Sequence, residues 1–153
     1  MDAFSVNKRL IEWNIPLVDI SKASTHEKSV RHGHPSTLHL WWARRPLAAS
    51  RATIFASLID LPSDTSERSE LLELIRKSSP WNAVKDLEIP SIQKCREIIN
   101  QTWDNVPPKI IDPFSGGGSI PLEALRLGCE TYASDLNPLA VLIGKATFEL
   151  PIF

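Results

Sequence analysis

The sequence has only two cysteines among 153 residues, and none of its apolar runs approaches the length of a membrane-spanning helix. Such a helix needs about 20 consecutive apolar residues. Cys95 and Cys129 lack a C-x-x-C spacing and stand among apolar neighbours, which favours buried thiols over a disulfide or a metal site. Met1 is followed by Asp2, without the basic flank and apolar segment that open a secretory signal. We therefore predict a cytoplasmic protein with no membrane contact.

The sequence also has no large excess of charge of either sign, since 17 basic and 18 acidic residues leave a net charge of −1. The charge is nevertheless unevenly distributed. Six basic residues stand against one acid between Lys22 and Arg51, whereas nine acids stand against six basic residues between Asp60 and Asp104. The near-neutral total therefore conceals a basic stretch, which is the electrostatic feature that a nucleic acid partner requires. A solvated helix surface accounts for this stretch equally well.

Apolar residues at helical spacing predict three helices before residue 109, in a chain whose length fits one domain or part of one. The first runs from Leu47 to Leu61, with Pro46 in its first turn and Pro62 as its stop. The second follows a capping box at residues 64–67, and the third follows Ser91. We assign residues 1–62 to an N-terminal helical region with a basic and aromatic motif, and residues 63–108 to a helical insert.

The pattern changes at residue 109, where elements typical of an α/β fold begin. A strand at Ile110 and Ile111 leads into a glycine loop, a short helix closed by Gly128, and a β-prone segment that ends at Asp135. This order is that of the first βαβ unit of a Rossmann-like sheet. We therefore predict such a unit over residues 109–153.

The glycine loop and the acid together predict a site for a nucleoside. Glycines allow a ligand to approach the backbone, and the helix N-terminus points free amides at its polar groups. Asp135 follows Gly116 by about 20 residues, the spacing of an acid that accepts hydrogen bonds from ribose hydroxyls. A phosphate-binding P-loop is disfavoured because no Gly-Lys-Ser/Thr follows the loop. A dinucleotide loop is disfavoured because Pro121 replaces its third glycine, while a glycine turn in an ordinary α/β protein stays open.

The sequence resembles a methyltransferase family at two places. Asp112-Pro113-Phe114-Ser115-Gly116-Gly117-Gly118, with an acid ending the next strand, resembles motifs I and II of the S-adenosylmethionine-dependent enzymes that methylate amino groups of DNA. The stretch from Glu27 to Leu47 is similar to the N-terminal region, of uncharacterised function, that precedes motif I in a family of adenine-specific DNA methylases. Short matches at residues 9–12 and 16–17 extend this similarity toward the N-terminus.

The resemblance implies a class I methyltransferase fold that binds S-adenosyl-L-methionine and acts on DNA. It implies a cofactor site at residues 112–118 together with Asp135 and Asn137, completed by Arg45 and Pro46, which resemble the opening of a motif X helix. The contacts that we expect with nucleic acid come from five residues of the upstream segment, namely Lys28, Arg31, His34, Trp41 and Arg44. Core packing for Trp41 and solvation for the arginines are the alternatives.

Two further site types are not assigned. His32, His34 and His39 lack an accompanying cysteine or a clear fourth ligand, so we predict no metal. Transfer to adenine N6 uses an Asp/Asn/Ser-Pro-Pro-aromatic loop with the base flipped out, and the one Pro-Pro pair, at residues 107–108, is followed by Lys109. We therefore assign no catalytic residue, and expect an incomplete sheet and a C-terminal catalytic portion in the same or a neighbouring reading frame. The alternative is a noncatalytic DNA-binding or interaction module with a decayed nucleotide-binding fold.

We expect no methyl transfer by this chain alone, because no residue matches the group that positions the target amine. Incubation of the purified chain with unmethylated DNA and tritiated S-adenosylmethionine should leave the DNA unlabelled. Labelling above a protein-free background would contradict this reading of the motifs.

Overall fold

The structure is a computed structural model that describes residues 7–30, 32–37, 39–84 and 89–149. These ranges contain six α-helices: α1 (Leu17–Glu27), α2 (Leu47–Leu58), α3 (Thr65–Ser78), α4 (Pro90–Thr102), α5 (Ser119–Arg126) and α6 (Pro138–Gly144). They also contain two strands, β1 (Lys109–Asp112) and β2 (Glu130–Ala133), and a π-helical turn at Lys145–Glu149. Short 3-10 helices lie at Leu10–Glu12, Pro35–Thr37 and Trp81–Val84. None of the helices in the described ranges is long and apolar enough to cross a membrane.

The three helices predicted before residue 109 are present as α2, α3 and α4, with one difference in length. Asp64 caps α3 by accepting a hydrogen bond from the amide of Glu67 at 3.0 Å. α2 ends at Leu58 and not at Leu61, because the chain then becomes extended and pairs with the N-terminal segment. The amide of Leu10 donates to the carbonyl of Ile59 at 3.0 Å, which binds this segment to the end of α2.

Helix α1 has no counterpart among the predicted helices. It begins after Pro16, carries Asp19 in its first turn, and buries Ile20 against the core. Pro before the first turn and an acid within it are both signals of a helix N-terminus. The helix contacts α2, and its last residue, Glu27, is buried.

One main apolar core joins every helix from α1 to α5. It contains side chains such as Ile20, Phe55, Ile75, Ile99 and Ala124, one from each of these helices. The helices of the region predicted as an insert therefore pack in the same core as the elements on either side of them. The division into three regions stays a prediction.

Both cysteines are free and buried, as predicted. Burial in apolar surroundings raises the pKa of Cys95 to about 12 and that of Cys129 to about 11. Neither forms an appreciable thiolate near neutral pH, and the thiolate is the reactive form of cysteine. The two side chains therefore contribute to the packing of the core.

The predicted strand–loop–helix–strand unit is confirmed. β1 and β2 pair in parallel, with Ile110 opposite Thr131, and α5 packs against both strands and against α2. Ile110 packs on the core, whereas Ile111 is 72% exposed on the other face of the sheet. The side chains of a strand alternate between its two faces, so α5 covers one face only. A larger Rossmann-like sheet stays a prediction.

A buried ion pair connects the helical region to this unit. The Nε of Arg51 in α2 donates to Glu123 of α5 at 2.6 Å, and the two side chains are 2% and 0% exposed. The same guanidinium donates to the carbonyls of Ser78 and Ser79 at the end of α3. The other carboxylate oxygen of Glu123 pairs with Arg126. Each carboxylate oxygen of the buried Glu123 therefore has a cationic partner, as burial requires.

Breaking this cluster should strongly destabilise the chain. Arg51→Met keeps most of the side-chain volume but removes the main partner of a fully buried carboxylate, so we expect the free energy of unfolding to fall by about 3–5 kcal/mol. Urea denaturation followed by circular dichroism measures this loss. Lys94→Ala, which breaks the exposed pair with Glu97, should cost less than about 1 kcal/mol. Equal losses in the two variants would show that the buried pair has no special role.

Candidate functional site

The glycine loop lies between β1 and α5. Gly116 has a φ of 49° and Gly118 a φ of 74°. Residues that carry a Cβ rarely adopt such values. Gly118 is the N-cap of α5, and its amide donates to the carbonyl of Ser115 at 2.8 Å. The left-handed glycines thus turn the chain from the end of the strand directly into the helix.

Asp135 lies beside this loop, because β1 and β2 end at the same edge of the sheet. One carboxylate oxygen accepts a hydrogen bond from the amide of Gly116 at 2.8 Å, and the other accepts from the amide of Asn137 at 2.8 Å. Hydrogen bonds from Asn137 and Gly116 hold the pKa of Asp135 below its ordinary value. The predicted position of Gly116 and Asp135 at one edge of the sheet is confirmed.

Further residues of the predicted cofactor motif lie around Gly116 and Asp135. Asp112 ends β1 and accepts a hydrogen bond from the amide of Phe114 at 3.2 Å. Pro113 and Phe114 are exposed at the tip of the loop, and the Phe114 ring is 80% exposed. Asn137 caps α6 by accepting from the amide of Leu139 at 2.9 Å.

The start of α2 lies against the loop, as predicted for Arg45 and Pro46. The hydroxyl of Ser119 donates to the carbonyl of Arg45 at 2.7 Å, and Pro46 is the N-cap of the helix. A cavity of about 350 Å³ opens between these elements. Its walls come from the upstream segment and from both strand ends, including Trp41, Arg44, Arg45, Asp112, Phe114, Gly116 and Asp135. This volume is within the range of small-molecule sites.

Two aromatic side chains occupy the space that the missing Cβ atoms leave open. A Cβ on Gly116 would stand 2.7 Å from the indole Nε1 of Trp41, and a Cβ on Gly117 would stand 2.9 Å from the Trp41 Cβ. A Cβ on Gly118 would stand 2.9 Å from the ring of Phe148. The glycines are therefore required for these contacts as well as for the turn.

A buried network organises the segment that precedes α2. The carboxylate of Glu27 accepts hydrogen bonds from the amides of Leu47 and Ala48, both at 3.0 Å, and contacts the Nε2 of His34 at 3.0 Å. Burial alone would raise the pKa of Glu27, but the hydrogen bonds from His34 and the two amides outweigh it and hold this pKa below its ordinary value. The carboxylate thus caps α2 and anchors His34.

His34 in turn holds Arg44. Its Nδ1 accepts a hydrogen bond from the amide of Ser36 at 3.1 Å and lies 2.8 Å from Nη1 of Arg44. Two donors facing Nδ1 assign the ring proton to Nε2, which donates to Glu27. The Arg44 guanidinium also lies 3.8 Å from Glu27, so it points into the protein.

These contacts correct part of the predicted nucleic acid surface. His34 is 1% exposed and the Arg44 side chain 16% exposed, so both are held by Glu27 instead of projecting into solvent. Trp41 is half-buried against the glycine loop, whereas Lys28 is exposed. Arg31 lies outside the described residues. Of the five predicted contacts, Lys28 is thus exposed and Trp41 half-buried.

The histidines do not come together. His32 and His39 are exposed while His34 is buried. Among the residues that the structure describes, no group of three or more histidine, cysteine or acidic side chains is arranged to hold a metal ion.

Three residues of this region were not singled out from the sequence. Glu27 is the one acid in the basic stretch, and that isolation is a signal of a buried, paired carboxylate. Trp42 follows Trp41 directly in the sequence, yet it is 75% exposed. Phe148 has no sequence signal that relates it to Gly118, because only the turn after α6 brings it there.

The comparisons with known proteins concern part of the chain. Residues 14–80 match a family described as a protein of unknown function (DUF1156). A stretch of 56 residues is 39% identical to the type II methyltransferase M.MvaI of Kocuria varians, and covers 35% of this chain but 12% of that protein. No solved structure matches the chain. The chain therefore contains a segment that is similar to part of a type II methyltransferase, and it spans a small part of that protein's length.

The contact between Trp41 and the loop predicts an unequal cost for two glycine substitutions. Gly33 and Gly116 both have positive φ, but a Cβ on Gly33 meets nothing within 4 Å. Gly33→Ala should therefore cost only about 1–2 kcal/mol of backbone strain. Gly116→Ala should cost about 1–3 kcal/mol more, because Trp41 must move.

Urea unfolding of both variants measures this difference. Adding Trp41→Ala should remove the excess cost of Gly116→Ala and leave that of Gly33→Ala unchanged. An equal cost for the two glycine variants would contradict the contact.

Proposed function

We propose that this chain is the N-terminal, cofactor-binding portion of a DNA (adenine-N6) methyltransferase, and that its cofactor is S-adenosyl-L-methionine. The observation that carries the proposal is the hydrogen bond of 2.8 Å between the Gly116 amide and Asp135, beside a cavity walled by the start of α2. Open α/β sheets bind ligands at the carboxyl ends of their strands. The similarity of part of the chain to a type II methyltransferase supports the same reading.

The donors and acceptors at this edge fit an adenosine-based cofactor. A carboxylate offers about four lone-pair sites, and the amides of Gly116 and Asn137 use two of those on Asp135. Acceptor sites therefore remain for ribose hydroxyls. S-adenosylmethionine supplies an activated methyl group on a sulfonium when bound. Arg45 and Trp41 would line the opposite wall of the cavity, while Phe114 offers an exposed apolar face.

We also propose that further polypeptide covers the open face of the sheet. Ile111 and its cross-strand partner Tyr132 are 72% and 50% exposed, and Leu136 and Leu142, which follow β2 in the chain, are 96% and 63% exposed. A large exposed apolar patch marks an interface. A catalytic portion in the same chain or in a partner chain, carrying the loop that positions adenine, would bury it.

One observation favours a second candidate, a noncatalytic DNA-binding or interaction module. The indole of Trp41 and the ring of Phe148 fill the spaces beside Gly116, Gly117 and Gly118. In this alternative the loop exists to pack these rings, and no cofactor binds. Titration with S-adenosylhomocysteine separates the two candidates, because only the first predicts binding.

Asp135→Ala should weaken the binding of S-adenosylhomocysteine about 100-fold or more, since it removes charge-assisted acceptors for the ribose hydroxyls. Isothermal titration calorimetry at high protein concentration measures this change. Asp135→Asn should lose less because it keeps one acceptor.

Asp64→Ala is the matched control for Asp135→Ala. It also removes a carboxylate that accepts a backbone amide, but at the cap of α3, so the affinity should not change. Unchanged affinity in Asp135→Ala, with a native circular dichroism spectrum, would show that Asp135 only organises the turn at Asn137.

A further inference from the structure

Trp42 presents a large aromatic surface to solvent beside the candidate site. Its ring stacks on that of Trp41 with a centroid distance of 4.4 Å and an interplanar angle of 17°. The residue is nevertheless 75% exposed. One face of the indole is therefore covered by Trp41 and the other remains open.

The orientation of the Trp42 ring is fixed by its stacking on Trp41. Trp41 packs against Gly116 and Gly117 and lines the cavity that also includes Asp135. A rigid ring loses little conformational entropy when a ligand stacks on it. The Trp41–Trp42 pair thus extends from the wall of the cavity to an open aromatic face.

Two exposed basic residues lie near this pair: Arg45 lines the same cavity as Trp41, together with Asp112 and Asp135, and Lys28 lines a groove with Pro46. Glu27, the one acid between Lys22 and Arg51, is 3% exposed and has its charge neutralised inside the protein. None of the ion pairs between described residues includes Lys28 or Arg45. Positive charge with an open aromatic face is the combination by which proteins bind unpaired nucleotides.

We propose that Trp42 is a stacking platform for an unpaired nucleobase of the nucleic acid substrate. This inference rests on the proposed function and deepens it, because it assigns a base contact to a residue outside the cofactor motif. A base that is methylated must leave the duplex stack. Trp42 holds an extruded base, or the strand next to it, near the edge of the sheet where the cofactor would bind.

The test compares single strands with and without bases. Fluorescence anisotropy at low salt measures the binding of the full chain to a fluorescein-labelled oligo-dA and to an abasic strand of equal length. Trp42→Ala should weaken binding to oligo-dA about 5- to 100-fold and leave binding to the abasic strand unchanged. An oligo-rA arm of the same design determines whether the base is that of DNA or of RNA, according to which strand binds more tightly.

Trp13→Ala is the matched control, because Trp13 is 42% exposed and lies under Arg68, in a different part of the chain. It should leave the affinity for both strands unchanged. Equal affinities of the wild type and Trp42→Ala for oligo-dA, or equal losses for the base-bearing and abasic strands, would overturn the platform. Absence of any binding to base-bearing strands would do the same.

Calorimetry of Trp42→Ala with S-adenosylhomocysteine keeps the two proposals apart. We expect the wild-type affinity, because Trp42 does not line the cavity. Wild-type affinity together with unchanged oligonucleotide binding would reject the platform and leave the cofactor proposal standing. A loss of cofactor affinity in this variant would show that Trp42 acts through Trp41, which also rejects the platform.

Discussion

Arg51 of α2 and Glu123 of α5 meet at 2.6 Å with both side chains shut off from water, and the arrangement of the other elements depends on this pair. The guanidinium also binds the last carbonyls of α3, so one side chain connects the helices before residue 80 to the helix between the two strands. Desolvating two charges is costly, and the cost is offset only where every donor and acceptor has a partner. The pair therefore stabilises one specific packing of α2, α3 and α5, and that packing brings the start of α2 to the glycine loop.

Glu27 is a second buried carboxylate that holds α2 in place, and it lies at the N-terminal end of this helix. A carboxylate is unfavourable at the C-terminal end of its own helix, but here it lies at the N-terminal end of the next helix, where two free amides bind it. This position explains why His34 and Arg44 point inward, since both approach the one buried acid of the segment. The basic stretch of the sequence is thus divided: Arg44 and Arg51 neutralise buried acids, while Lys28 and Arg45 keep their charge at the surface.

The edge of the sheet combines the two proposed activities in one place. Asp135 and the Gly116 amide form the acceptor and turn that a nucleoside site needs, and Trp41 separates them from the exposed ring of Trp42. Trp41 therefore contacts both the candidate cofactor cavity and the proposed base platform. The same indole also fills the space beside Gly116 and Gly117. The noncatalytic alternative depends on this contact. Titration with S-adenosylhomocysteine tests the cavity that Trp41 lines, and oligonucleotide binding tests the ring of Trp42 that stacks on it.

The sequence by itself determined the local elements whose signals lie within a few residues. Prolines and caps located α2, α3 and α4, and the glycine loop with Asp135 located the parallel unit and its edge, because turn geometry and capping are local properties. The end of α2 could not be predicted, since pairing with the N-terminal segment overrides helical spacing after Leu58. Only the tertiary structure decided which charges are buried. Arg44 and Arg45 are adjacent in sequence, yet one points to Glu27 and the other to solvent, because a charge is buried only where the fold brings an opposite charge from a distant part of the chain.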